Sequence, residues 1–395
     1  MNRYSVVFIL ISSVFKGAMG LIAPIYPLYL RQLGLDDTGI FATNICFYLS
    51  FLCFDIPAGK LADKYGHRIS IVLGLSLRIL GFYMFMSATK WWYFVIGEIL
   101  IGSGAAFFGS ALQAWFVNGM RSKNQDHLIP RVFSFEAGIA GGLLVMAGIF
   151  TSLFASRGYP FIYRSLIFIV LFLIILVLLS VNLTPKYKKI EYLKLNFREV
   201  ASHVDANFFR ICLIYFVFFL STQGINLQWQ SWAIQNGFSD SAVSSMFSGM
   251  QCIAILSVLF SGWLVDLAND KVRTSWQILI LELISLGLFI VTPAILPFSF
   301  GIWAIALQSI GRGGAPICCD VILKSAINND AYRATLTSMA SACKNAGAIC
   351  GLIVGGFFAR YCSAHCGWKI GGSILLVGIA IILLTFLSKK GEKQC

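Results

Sequence analysis

Twelve apolar runs, each about the length that spans a bilayer as a helix, recur along the chain with only short polar breaks between them. They fall near 4–30, 39–62, 69–88, 92–117, 131–154, 161–182, 208–232, 242–266, 275–296, 300–324, 333–358 and 367–387. Apolar residues make up 58% of the 395-residue chain and charged residues 12%, about half the charged share of a soluble domain. A surface so poor in charge requires lipid as its solvent, so the expected fold is an all-α polytopic membrane protein with twelve transmembrane helices. The first run follows Arg3 and is longer than the apolar region of a signal peptide, which predicts a retained first span.

The net charge of +13 does not point to nucleic acid, because the Lys and Arg residues cluster between apolar runs. They concentrate in alternate loops, around Lys60–Arg68, Arg121–Arg131, Lys186–Arg198, Lys271–Arg273 and Lys389–Lys390. That bias predicts both termini on the cytoplasmic side of a bacterial inner membrane. Most of the eleven cysteines lie within apolar runs and read as small hydrophobes. Cys362, His365 and Cys366 sit in a predicted outer loop. With no fourth ligand evident they make no zinc site, and a local disulfide or no role at all is expected. No metal and no cofactor are expected.

The longest polar stretch, 183–207, divides the chain near its middle. It predicts an N-terminal six-helix bundle over 1–182, a cytoplasmic linker and a C-terminal bundle over 208–395. The halves echo each other. Gly59-Lys-Leu-Ala-Asp63 returns as Gly262-Trp-Leu-Val-Asp266 after 203 residues. Arg131 opens the fifth span and Arg333 the eleventh, 202 residues on, and Gly102-Ser-Gly104 matches Gly311-Arg-Gly313 at 209. Three matches at nearly one offset argue for duplication, the plan by which many transporters alternate a central site between two faces.

The strongest local signal is Gly59-Lys60-Leu61-Ala62-Asp63-Lys64-Tyr65-Gly66-His67-Arg68, between the second and third spans. This resembles the signature loop of the major facilitator superfamily, with Gly59, Asp63, Lys64, Gly66 and Arg68 as its gating residues. Gly59 and Gly66 permit close approach and a tight turn, and Asp63 can pair with a basic residue in one conformation and release it in another. A plain solvated loop is the alternative. Asp55-Ile-Pro57, Gly97-Glu98 and Tyr332-Arg333-Ala334-Thr335 also look like a bacterial efflux-type branch. His67 stands where relatives usually carry Arg or Lys, Gln113 and Asn118 where acids are expected, and Glu98 where many have a membrane Arg. The Pro-containing motif of antiporters is absent from the fifth span, which has Gly138-Ile-Ala-Gly141-Gly142 instead. The resemblance implies a fold of two pseudo-symmetric bundles with a cavity lined by the first, fourth, seventh and tenth spans.

Ionisable residues inside a membrane are costly and mark function or pairing. The acids are Asp55, Glu98, Glu136, Glu282 and Asp320, and the bases Lys16, Arg78, Arg312 and Lys344. Glu98 and Asp320, with Asp55 behind them, are the expected proton-coupling groups. Arg312, Lys344 and Arg78 are their expected charge partners. The alternative is a set of structural ion pairs, such as Asp320 with Lys344 or Arg312. In the seventh span Gln223, Asn226 and Gln230 share one helical face beside Trp229. With Lys16 they are expected to line a cavity for a polar or amphipathic solute, the alternative being interhelical hydrogen bonds.

The expected function is secondary transport of a small organic solute, with proton-coupled efflux of drugs or natural products first and import of a sugar, amino acid or siderophore-like solute second. The chain lacks a Gly-x-x-x-x-Gly-Lys-Ser/Thr loop, and its four scattered histidines form no cluster suited to a membrane enzyme. A non-transporting receptor is a further alternative. Expected partners are the solute, protons and membrane lipid, with no nucleic acid, and the chain is expected to act as a monomer.

Overall fold

The computed structural model describes residues 2–180, 205–327 and 333–391, with side chains undescribed at 333–335 and 386–391. The described residues form α1 (Arg3–Met19), α2 (Tyr26–Gln32), α3 (Asp37–Tyr65), α4 (His67–Met86), α5 (Trp91–Arg121), α6 (Ile129–Phe154) and α7 (Tyr159–Ser180). After these come α8 (Ala206–Gln235), α9 (Asp240–Leu267), α10 (Lys271–Val291), α11 (Phe298–Leu307), α12 (Ser309–Ala326), α13 (Arg333–Tyr361) and α14 (Ala364–Gly391). Among the described residues ten helical segments are long and apolar enough to cross a membrane. The first and tenth expected spans supply the remaining crossings as broken helices, α1 with α2 and α11 with α12. Pro24 lacks an amide hydrogen, and the chain there tightens, with the Leu21 amide donating to Ala18 at 3.1 Å and Ile25 to Ile22 at 3.1 Å. The expected linker over 183–207 lies almost wholly outside the described residues, as does Tyr332.

Apolar side chains such as Leu153, Phe168, Leu179, Leu256 and Trp303 stand exposed along the helices. A soluble protein would bury them; facing lipid they need no cover. Helix ends are set by short polar caps: Asp36 accepts from the Gly39 amide at 2.8 Å and Asp270 from the Arg273 amide at 3.0 Å. Gly66 joins α3 to α4 at φ 96°, ψ 150°, a region open essentially to glycine alone.

The chain divides into two compact units, Met1–Ile190 with Gln230–Cys252, and Glu191–Trp229 with Ile253–Cys395. In the first, α4 packs against α5 and α7, and α1 against α6. Helices α4 and α5 meet backbone to backbone: a Cβ on Gly74 would lie 2.8 Å from the Gly104 carbonyl oxygen, the small-residue contact typical of membrane helices. Within this unit α6 also meets the start of α9, where Ser152 bonds Ser241 and Ser245, and Tyr159 at the start of α7 donates to Asp240 at 2.5 Å. In the second unit α10 packs against α12 and α14. The third expected span touching the fourth and sixth is thus matched by the ninth touching the tenth and twelfth. The repeat seen in the motifs is present in the packing of each unit.

Candidate functional site

In the first unit a cavity of about 420 Å³ opens among α1, α2, α3, α4, α5 and α7. Apolar and aromatic side chains form most of its wall, among them Phe15, Met19, Phe47, Phe85 and Tyr163. Its polar members are Lys16, Tyr26, Asn44, Arg78 and Glu98. This composition, mostly apolar with a few convergent polar groups, is that of a small-molecule site.

Glu98 is 4% exposed, on the third turn of α5. The Tyr26 hydroxyl donates to its carboxylate, and Asn44 Nδ2 donates in turn to the Tyr26 oxygen at 3.3 Å. Three elements are needed for that relay, and the break before α2 is what turns Tyr26 toward α5. Arg78 on α4 is the opposite charge acting on Glu98. Its guanidinium lies 4.4 Å from the centre of the Phe15 ring, a cation–π contact, and Nη1 reaches the Met19 sulfur at 3.8 Å. Arg78 Nε and the Tyr163 hydroxyl are buried without a hydrogen-bond partner, so the cavity wall retains donors for a bound solute. An aromatic cluster of Tyr29, Phe85, Phe94, Tyr159 and Tyr163, with centroids 5.0 to 5.7 Å apart, closes over the Tyr26 end. The Tyr29 hydroxyl fixes it by donating to the Phe85 carbonyl at 2.8 Å.

Lys16 lines the same cavity, yet its ammonium is committed to Glu136 on α6, 2.9 Å from each carboxylate oxygen. Ser12 donates to that carboxylate at 2.7 Å and Ser13 to the Glu136 carbonyl at 3.0 Å. Sequence reasoning named both charges but did not pair them. Tyr26, Asn44 and Tyr163 were not foreseen; the Pro24-Ile-Tyr-Pro27 stretch was the available signal for Tyr26.

The remaining expected residues lie elsewhere. Asp55 stands exposed on α3. In the second unit Asp320 accepts from the Tyr215 hydroxyl at 3.1 Å, and the Lys344 ammonium lies 4.0 Å from the centre of the same Tyr215 ring. The acid and base that were expected to pair thus share Tyr215 as a neighbour. Arg312 occupies α12, half-buried. On α8, Gln223 packs against Gly351, Trp229 is buried, and Asn226 Oδ1 and Gln230 Oε1 are buried without partners. The unforeseen neighbour Gln228 accepts from the Trp368 indole at 3.0 Å.

In the 59–68 loop, the Lys64 ammonium lies 4.9 Å from the Tyr65 ring centre and the Gly66 amide donates to the Ala62 carbonyl at 2.9 Å. Gly59, Asp63 and Arg68 stand around that turn on α3 and α4. His67 meets Asn118 of α5 at 3.4 Å. Two of the residues that depart from the resembled pattern are thus partners of each other. Asp266, the echo of Asp63, pairs with Lys271 at 3.0 Å. Cys362 and Cys366 are free thiols.

A family model described as Major Facilitator Superfamily matches residues 8–296 and 211–394. The chain is 24% identical over 388 residues to an uncharacterized MFS-type transporter, YxaM, of Bacillus subtilis (strain 168), covering 93% of this chain and 90% of that protein. It is 22% identical to the tetracycline resistance protein, class H, of Pasteurella multocida, over 80% of this chain and 78% of that one. Multidrug resistance protein 1 of Bacillus subtilis is 25% identical over 50% of each chain. Among solved structures, the nucleoside transporter NupG superposes with a TM-score of 0.76 at 13% identity, over 98% of this chain and 99% of that chain. An auto-inhibited POT family peptide transporter gives 0.79 at 11%, over 97% and 96%.

Proposed function

The chain belongs to the Major Facilitator Superfamily, and on that premise we propose that this transporter exports a small amphipathic organic solute, a drug or natural product, in exchange for protons. The observation that carries the proposal is Glu98, a carboxyl buried in an aromatic cavity with one hydroxyl relay and one guanidinium. Arg78 balances Glu98 when it is ionised. A solute whose donor or basic group takes the Glu98 carboxylate competes with the proton for that one group, so binding of either displaces the other. Alternating access of the two repeats would carry that competition from one side of the membrane to the other. Relatives named for tetracycline and multidrug resistance support export as the direction.

The Lys and Arg bias of the loops supports a bacterial cytoplasmic membrane location with both termini inside. The repeated packing supports two six-span halves joined by 183–207. A cavity complete within one unit supports a monomer, with lipid, solute and protons as its partners and no role for nucleic acid. Lys16 remains a proposed solute contact of this cavity, Gln223, Asn226, Trp229 and Gln230 on α8 remain proposed solute contacts apart from it, and Asp320 and Asp55 proposed secondary proton groups. Arg312 and Lys344 stand as proposed charge partners in the membrane, and Gly59, Asp63, Lys64, Gly66 and Arg68 as the proposed gate.

The test is accumulation of a panel of labelled drugs and metabolites in cells with and without the protein, with and without a protonophore. Lower accumulation that the protonophore abolishes is the expected result. Higher accumulation would turn the reading to import of a nutrient solute.

A further inference from the structure

The second unit holds another buried carboxyl, one that the Glu98 cavity does not include. Glu282 on α10 is 7% exposed. Ser261 of α9 donates to its Oε1 at 2.5 Å. Ser257, one turn earlier, lies 3.4 Å from the same oxygen, but its hydroxyl donates to the Ile310 carbonyl at 2.8 Å. A hydroxyl has one hydrogen to give, and the nearer carbonyl takes it. Oε2 is buried with no hydrogen-bond partner.

Among the described residues no cation compensates this carboxyl. From α9 it meets the two serines. From α12 it meets Gly314, and the thiols of Cys318 and Cys319 lie within its electrostatic reach. Helix α14 packs on α10 through Gly372 and Leu376 against Gly287. No Lys, Arg or His is among the groups acting on Glu282. An ionised carboxyl buried with one donor and no counter-charge is among the costliest groups a membrane protein can hold.

The repeat sharpens the point. Arg78 and Glu282 lie 204 residues apart, within the offsets that relate the halves. Each sits on the helix that packs against the glycine-bearing partner of its own unit, α4 on α5 and α10 on α12. The first unit sets a cation there, facing Glu98; the second sets a carboxyl facing none.

We propose that Glu282 is a proton-binding site of the second unit, with the proton on Oε2 and Ser261 holding Oε1. A metal cation would need several further oxygen ligands, and the α12 side is closed, since a Cβ on Gly314 would already overlap Oε1. A proton needs no such space. The site stands on its own geometry and does not depend on Glu98 being proton-coupled.

Infrared difference spectroscopy of the purified full chain in lipid reads the proton directly. The carbonyl stretch of a protonated carboxylic acid should be present in the parent protein, lost in Glu282→Gln and retained in Glu98→Gln. Ser261→Ala, which removes the donor to Oε1, should shift that band, and it serves where Glu282→Gln does not fold. An acid band unaltered by both substitutions at Glu282 and Ser261 would overturn the proposal. So would a band that vanishes when sodium is added, since sodium would then be the resident cation.

Discussion

Glu98 and Glu136 are buried glutamates of one unit held in opposite ways. The Glu136 carboxylate, 2% exposed, has a direct ammonium partner and the Ser12 hydroxyl; Glu98 has a phenol and a guanidinium at longer range. The first arrangement fixes a charge, and the second leaves one free to change. Lys16 is half exposed, with 51% of its side chain accessible, so its ion pair is worth less than a fully buried one. Hydrogen bonds to charged groups contribute about 1.5–3 kcal/mol, and we expect Lys16→Met to cost about 2 kcal/mol, seen as a lower thermal unfolding midpoint of the purified protein. Lys16→Met combined with Glu136→Gln should recover most of that loss, because no buried charge is then stranded. Equal loss in the single and double variants would mean that a stranded Glu136 charge is not the cause of the loss.

At the scale of the element, glycine decides where helices touch and where they turn. The α4–α5 contact depends on Gly74 and Gly104 having no side chain. The α3–α4 turn depends on Gly66 at φ 96°. No neighbour lies within 4 Å of a Cβ built there, so Gly66→Ala tests backbone strain alone. It should cost about 1–3 kcal/mol, read as a lower unfolding midpoint with the helical content unchanged; an unchanged midpoint would contradict that assignment. The turn was legible in the sequence because its glycine sits in a dense local motif. The break within the first span had its signal in Pro24 and Pro27, whereas that within the tenth did not, since a helix with one tightened turn keeps the same apolar run. The pairing of His67 with Asn118 was also hidden, because 51 residues separate two side chains that only the packing of α4 on α5 brings together.

For the whole molecule, lipid as solvent made the spans and their number easy to read: apolar length alone marks them. Duplication was legible because three motifs kept one offset, and it reappears as the matched packing of α4 and α10. The site was legible only in part. Glu98, Arg78 and Lys16 stood out as charges in apolar runs, but which charge meets which is set by helix rotation, and periodicity over one span does not fix that. Asp320 and Lys344 show the limit, each meeting Tyr215. Proton coupling through Glu98 is the central claim, and the most direct test is in proteoliposomes holding only the purified protein, loaded with a solute found in the cellular screen. An imposed pH gradient should drive solute movement by the parent protein, while Glu98→Gln should lose the response to the gradient yet still exchange solute for solute. A Glu98→Gln protein that the gradient drives as well as it drives the parent would contradict the claim and move the proton to another carboxyl.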